Sequence, residues 1–258
     1  MSKGKIIAFP VERRIILEIL HAARSIPAFP IDRHFDLSQL AEARRNASPR
    51  ISWTAIFLRG WGLVSQAEPV LRQLYMTLPM GYLYEYPCSV ASVSVHRRDP
   101  KTGQDSLIFC RVASPETKSL VEIQGYLDQA KTGNIRDVFR DGFRSAYLPW
   151  PLRRIGWNLL MHLWGRKRAK TIGTFTISSL AGMKVTNREH PLVATTSLSY
   201  SPLDQSGHCV VTLQSDHRVL DGVRAAECLE ELENHFNRTI LSEIRALAVN
   251  ASVVRVAS

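Results

Sequence analysis

Apolar residues recur at helical spacing over residues 10–24, where Ile15, Ile16, Ile19, Leu20 and Ala23 share one side. Pro27 and Pro30 stop that helix, since a proline ring cannot continue one, and Phe29–Asp36 reads as extended. Ser38 is placed to cap a short helix over 38–45. Ser52 is placed to cap a longer one through Ile56, Leu58 and Leu63 toward Pro69. Residues 83–96 and 107–113 are rich in Val, Ser, Tyr, Phe and Ile and read as strands. The stretch HRRDPKTGQD between them reads as a turn punctuated by Pro100 and Gly103. A helix is predicted at 116–130, and strands at 173–179, 193–199 and 208–214. The last strand alternates, with Cys209, Val211 and Leu213 on one face and His208, Val210, Thr212 and Gln214 on the other. A final helix from Gly222 to Phe236 aligns Ala225, Leu229, Leu232 and Phe236. The pattern predicts mixed α and β in one compact domain.

Composition narrows this picture in a few places. A chain of 258 residues with 45% hydrophobic content can bury one large core. No apolar run is long enough to cross a bilayer. The opening MSKGKIIAFPVERR lacks a signal-peptide core, so a cytoplasmic location is expected, with a peripheral position at a membrane as its extension. Cys88, Cys110, Cys209 and Cys228 are widely spaced and form no C-x-x-C pair, which predicts reduced structural thiols.

The net charge of +10 is unevenly spread. Arg140, Arg144, Arg153, Arg154, Arg166, Lys167, Arg168 and Lys170 face only Asp141 in that stretch. Such a patch suits an anionic membrane surface, an acidic carrier protein, a phosphorylated cofactor or plain solvent. No nucleic-acid module accompanies it, so nucleic acid is not an expected partner. Trp150, Trp157 and Trp164 recur every seven residues, which predicts one amphipathic helix across 144–170 with a tryptophan stripe beside Arg153, Arg154, Leu160 and Met161. That helix could pack against the domain or a second subunit, lie on a membrane surface or dock an acidic carrier.

The segment QSDHRVLDG holds the chemistry. It sets His217 just after a strand and Asp221 at the start of a helix. Imidazole titrates near neutral pH, so a positioned histidine suits removal of a proton from a thiol or hydroxyl. The plain alternative makes Asp221 a helix cap and His217 a turn residue. An H-x-x-x-D-G string arises by chance in roughly one chain in fifty of this length, so the string alone does not decide. His208 and His217 have no metal-ligand spacing to the cysteines, and no metal is expected. His21, His34, His96, His162, His190 and His235 are scattered and read as structural or exposed.

The surrounding residues decide more. DHRVLDG (Asp216 to Gly222) closely resembles the signature of the catalytic domain of the acyltransferase component of 2-oxoacid dehydrogenase complexes, a relative of chloramphenicol acetyltransferase. GTFTISSL (Gly173 to Leu180) resembles a second signature of that family, and ETKSLVEI (Glu116 to Ile123) a third. RRIILEIL followed by SIPAF (Arg13 to Phe29) is similar to its opening helix and first strand. The resemblance implies a chloramphenicol acetyltransferase-like α/β fold, a two-layer mixed β-sheet flanked by helices. It implies a homotrimer or higher assembly with sites between subunits. It also implies acyl transfer between coenzyme A and a thiol, hydroxyl or amine, with an acyl- or lipoyl-carrying protein as partner. On that resemblance His217 is the general base, Ser178 the hydroxyl that stabilises the oxyanion, and Asp221 a structural carboxylate held by Arg13 or Arg14.

Departures from the family set further expectations. Residues 1–258 read as a single catalytic domain without a lipoyl or peripheral binding domain, hence without lipoyl attachment. HRRDPKTGQDSLIFCRV replaces a smooth stretch that lines the substrate path in the family. Arg144 to Lys170 is inserted ahead of the serine strand. Two rival readings stand beside the enzyme. One is a catalytically inactive scaffold of the same fold that binds an acyl carrier. The other is a condensation-type enzyme, which chain length and Asp216 in place of a second histidine argue against.

Overall fold

The structure, a computed structural model, describes residues 4–7, 9–11, 13–98, 105–134 and 140–256. The first half runs α1 (Arg13–Ala23), β1 (Ala28–Asp36), α2 (Ser38–Asn46), α3 (Trp53–Ala67), β2 (Gln73–Met76), β3 (Tyr82–Glu85), β4 (Val90–Arg98), β5 (Asp105–Ala113) and α4 (Leu120–Thr132). The second runs α5 (Arg140–Tyr147), α6 (Trp150–His162), α7 (Gly165–Thr171), β6 (Phe175–Ile177), β7 (Thr196–Tyr200), β8 (His208–Asp216), α8 (Gly222–His235) and α9 (Leu241–Val256).

Strand alternation builds a six-stranded sheet in the order β1-β8-β7-β6-β4-β5. The short β6 pairs in parallel with both β4 and β7, and the other pairs are antiparallel. One face is apolar, presenting Val93, Ile108, Phe175, Ile177, Leu198 and Leu213, all buried. Helices α3, α4 and α8 pack there. Trp61 of α3 is fully buried and donates from Nε1 to Thr196 Oγ1 at 3.3 Å. Phe57 stacks on Tyr200 with ring centroids 4.1 Å apart. Removing each such side chain from water contributes about 1.5–3 kcal/mol. The alternate positions of the same strands give the second face a polar floor of Ser92, Thr176, Ser197, Thr212 and Gln214.

Serine caps set the starts of α3 and α4, whereas the start of α2 is set differently. Ser52 caps α3 by accepting from Ala55 N at 3.3 Å. Ser119 forms a full capping box with Glu122, so α4 begins at Leu120, after a 3₁₀ turn at Pro115–Thr117. Ser38 does not cap α2. The Asp36 carboxylate accepts from Ser38 N at 3.0 Å instead, because Ser38 already lies inside the helix.

Three expectations are corrected. The predicted strand over 83–96 is two strands: β3 ends before Pro87, which has no N–H to donate, and β4 starts at Val90. β3 pairs with β2, which the pattern did not reveal. The single amphipathic helix across 144–170 is three helices, broken at Pro149 and at Trp164–Gly165. The predicted stripe is cut short: Trp150 and Trp157 share α6 but are 62% and 9% exposed, and Trp164, 40% exposed, lies beyond that helix. Most of the turn predicted within HRRDPKTGQD, including Pro100 and Gly103, lies outside the described residues.

Candidate active site

The corner carrying His217 is built around a buried carboxylate. Asp216 ends β8 and is 1% exposed. It takes a two-pronged ion pair from Arg218, at 2.8 Å from Nε and 2.7 Å from Nη2. Its Oδ1 also accepts from the Arg218 backbone at 3.1 Å, and its carbonyl accepts from Val219 and Leu220. The Arg218 guanidinium lies 4.6 Å over the Tyr75 ring. These contacts fix the turn that separates β8 from α8. His217 is held between them by its N–H to Pro27 O at 2.9 Å and by its ring 4.7 Å from Phe29.

His217 Nδ1 lies 3.5 Å from Asp221 Oδ1, with the side chains 56% and 87% exposed. The carboxylate favours the tautomer with the proton on Nδ1, which leaves Nε2 to take up a proton. Asp221 sits at the N-cap of α8 without a side-chain cap bond. Neither Arg13 nor Arg14 holds it. Arg14 donates to the Ala146 carbonyl at 3.4 Å, and Arg13 is exposed at the start of α1. The carboxylate that organises the turn is Asp216, because burial behind β8 makes its pairing obligatory while Asp221 stays in water.

Ser178 follows β6, its N–H bonded to Leu198 O at 3.0 Å. Gly173 sets the start of that strand, with φ at +100° and room for no side chain beside the Val90 carbonyl. Asn187 donates to Ser178 Oγ at 3.3 Å, and its own Oδ1 accepts from Leu180 N at 3.2 Å. A backbone N–H only donates, so this contact fixes the amide orientation. The Ser178 hydroxyl therefore receives a hydrogen bond and keeps its own proton to give.

One chain does not bring Ser178 and His217 together. Register aligns Ile177, Leu198 and Leu213, so Ser178 is level with Thr212. Five residues separate Thr212 from His217, which is roughly 16 Å along the strand direction.

Sequence reasoning missed Asn187, the pairing role of Asp216 with Arg218, and Arg168. Arg168 is buried in α7 and donates to the carbonyls of Tyr75, Met161 and Val193 at 2.8, 3.1 and 3.0 Å. Its pKa is lowered to about 10, chiefly by burial, with Asp216 opposing the shift and Arg218 adding to it. It ties the 140–171 helices to the His217 corner. Its basic character placed it in a surface patch on paper, and no local pattern separates it from its exposed neighbours. Cys110, Cys209 and Cys228 are buried, and desolvation raises their thiols to about 11, 12 and 12. Among the described residues no group of three His, Cys, Asp or Glu side chains is placed to hold a metal, and no helix is long and apolar enough to cross a membrane.

No family model and no curated protein matches the sequence. Solved structures do match the fold. A probable dihydrolipoamide acetyltransferase from Listeria monocytogenes aligns at a TM-score of 0.67 and 14% identity, over 92% of this chain and 95% of that one. A truncated catalytic core of the 2-oxoacid dehydrogenase multienzyme complex from Thermoplasma acidophilum aligns at 0.64 and 17%, over 91% and 99%. The dihydrolipoamide acetyltransferase of Azotobacter vinelandii, studied for the catalytic role of a serine, a histidine and an asparagine, aligns at 0.63 and 15%, over 95% and 94%. This chain thus has the α/β fold of the dihydrolipoamide acetyltransferase catalytic cores of 2-oxoacid dehydrogenase complexes.

Proposed function

We propose that the chain transfers an acyl group between coenzyme A and an acceptor thiol, a hydroxyl or amine being the other acceptors that the same chemistry serves. The observation that carries this reading is the His217 corner: a rigid turn that presents an imidazole beside Asp221 on this fold. In the Azotobacter vinelandii protein the histidine and asparagine also lie four residues apart, as His217 and Asp221 do. The acceptor thiol gives its proton to His217 Nε2 as sulfur attacks the thioester carbonyl. The carbonyl oxygen gains charge and accepts a hydrogen bond from Ser178. Collapse breaks the bond to coenzyme A sulfur, which recovers the proton from His217.

Because Ser178 and His217 lie far apart in one chain, the proposed site forms between two copies, in a homotrimer or higher assembly. A related structure is the cubic core of a pyruvate dehydrogenase complex, which supports assembly of this kind. A lipoyl- or acyl-carrying protein is the proposed acceptor, in a cytoplasmic setting. Peripheral membrane contact is proposed through Trp150, Leu152 and Ile155, all exposed and close in sequence to Arg154. The competing reading is an inactive scaffold that binds an acyl carrier. The deciding assay follows release of free coenzyme A from thioesters ranging from acetyl to dodecanoyl, with dihydrolipoamide as acceptor. Release above that of folded His217→Ala protein is expected. Equal release from both proteins with every thioester would leave only the scaffold.

A further inference from the structure

The helices of residues 140–171 enclose a cavity that neither His217 nor Ser178 lines. Its volume is about 500 Å³, within the range of small-molecule sites. It lies between α1, α5, α6 and α7 and the second face of the sheet. Its walls are apolar, with Ile15 and Ile19 from α1, Trp157 and Leu160 from α6, Ile172, and Phe109 from β5. A buried ion pair clamps the roof to α1: Glu18 lies 2.9 Å from Arg153 Nε and 2.7 Å from Arg154 Nε.

The charged side chains among the described lining residues are all cationic. Among the described lining residues no carboxylate occurs, while Arg111, Arg144, Arg153 and Lys167 do. Arg153 is neutralised by Glu18, and Arg111 donates to the Thr171 carbonyl at 2.9 Å. Arg144 and Lys167 are exposed and also line the cavity, so they stand at its opening. A low-dielectric space rimmed by cations focuses positive potential on its mouth.

We infer that this cavity binds an aliphatic acyl chain whose anionic end is held at the rim by Arg144 and Lys167. Apolar walls favour the chain by removing it from water, and the cations select an acid over a neutral amphiphile. The chain could arrive as a free carboxylate or as the acyl part of a thioester whose phosphates meet the same cations. The inference goes beyond the acyl-transfer reading and does not depend on turnover.

Calorimetric titration tests it with dodecanoate, dodecanoyl coenzyme A, dodecan-1-ol and coenzyme A alone. Gly156 lines the cavity, and a Cβ there meets no heavy atom within 4 Å, so the side chain of Gly156→Phe starts from open space on α6. The expected result is saturable binding of dodecanoate or dodecanoyl coenzyme A, weakened at least about tenfold by Gly156→Phe in protein with an unchanged circular-dichroism spectrum. Arg144→Ala with Lys167→Ala touches only exposed side chains. It should weaken the anionic ligands and leave dodecan-1-ol unaffected. Binding of dodecanoate alone assigns the free acid, and binding of dodecanoyl coenzyme A without coenzyme A alone assigns the thioester. No saturable binding of either, or affinities for both that the double variant leaves unchanged, overturns the inference. These outcomes are independent of whether His217 catalyses anything.

Discussion

At the scale of the residue, the two halves of the proposed site differ in how they are held. His217 sits on a turn fixed from below by Asp216 and Arg218, while Ser178 is tuned by the single amide of Asn187. His217→Ala should lower kcat by about 10²–10⁴-fold, the usual contribution of a positioned acid–base group. Ser178→Ala should lower kcat by about a hundredfold with KM little changed, because an oxyanion donor acts in the transition state. Steady-state kinetics on both proteins checks this, and a change confined to KM would make Ser178 a binding residue only. Histidines elsewhere contribute to the loss of stability in mild acid. Burial holds the imidazoles of His162, His190 and His235 below the ordinary value of 6.5. The unfolded chain therefore binds more protons than the folded one below about pH 6.5, and the stability present above that pH is lost as pH falls further. Melting temperature should drop between about pH 7.5 and 5, and the slope should flatten in His190→Gln.

At the scale of the element, the helices of 140–171 show where pattern misleads. Heptad spacing of tryptophans implied one face, yet the break at Trp164–Gly165 takes Trp164 off α6, and on α6 itself Trp150 in the first turn is exposed while Trp157 is buried. Spacing carries through a helix only while the helix is continuous. Trp157 packs inward, whereas Trp150, Leu152 and Ile155 each leave apolar surface exposed. If that apolar surface meets lipid, the protein should sediment with anionic vesicles at low salt, and Trp150→Ala should reduce the bound fraction without changing the fold. Equal sedimentation of the variant would remove the membrane proposal. Glu18 anchors the same helices. It is buried between Arg153 and Arg154, so Glu18→Ala leaves cations without their counter-charge. Urea unfolding should show a loss of about 3–5 kcal/mol. Strands with clean alternation, β8 above all, were legible because one face meets the core. β2 was not, because four residues after a helix carry too short a pattern to register. α9 was equally hidden, since its residues show little segregation of apolar and polar sides.

At the scale of the whole molecule, the sheet decides which groups can react. Ser178 and His217 share a sheet but sit near opposite ends of its strands, so the proposed site calls for a second copy to supply its other half. Mixing inactive His217→Ala with inactive Ser178→Ala under subunit exchange should restore about a quarter of wild-type activity, since random assembly pairs an intact base with an intact serine at that fraction of closed interfaces. No recovery with exchange confirmed by mass would place the site within one chain, and a monomer by light scattering would do the same. A partner covering His217 would also desolvate a side chain that is more than half exposed in the lone chain. Desolvation strengthens every polar contact in such a site.

The sequence by itself determined the helix and strand periodicities, the cap at Ser52, and the strand–turn–helix that carries His217 and Asp221. These features are local: each depends on residues within a few positions, and their order along the chain is enough to read them. Tertiary structure decided the rest. It assigned the organising carboxylate to Asp216, because only packing behind β8 buries that side chain. It separated Arg168 from the other basic residues of 140–170 by burying it against three carbonyls. It brought Asn187 to Ser178 across a loop, and it turned a basic, tryptophan-rich stretch into the roof of a cavity. Burial and long-range pairing are properties of how elements stack, and no local spacing encodes them.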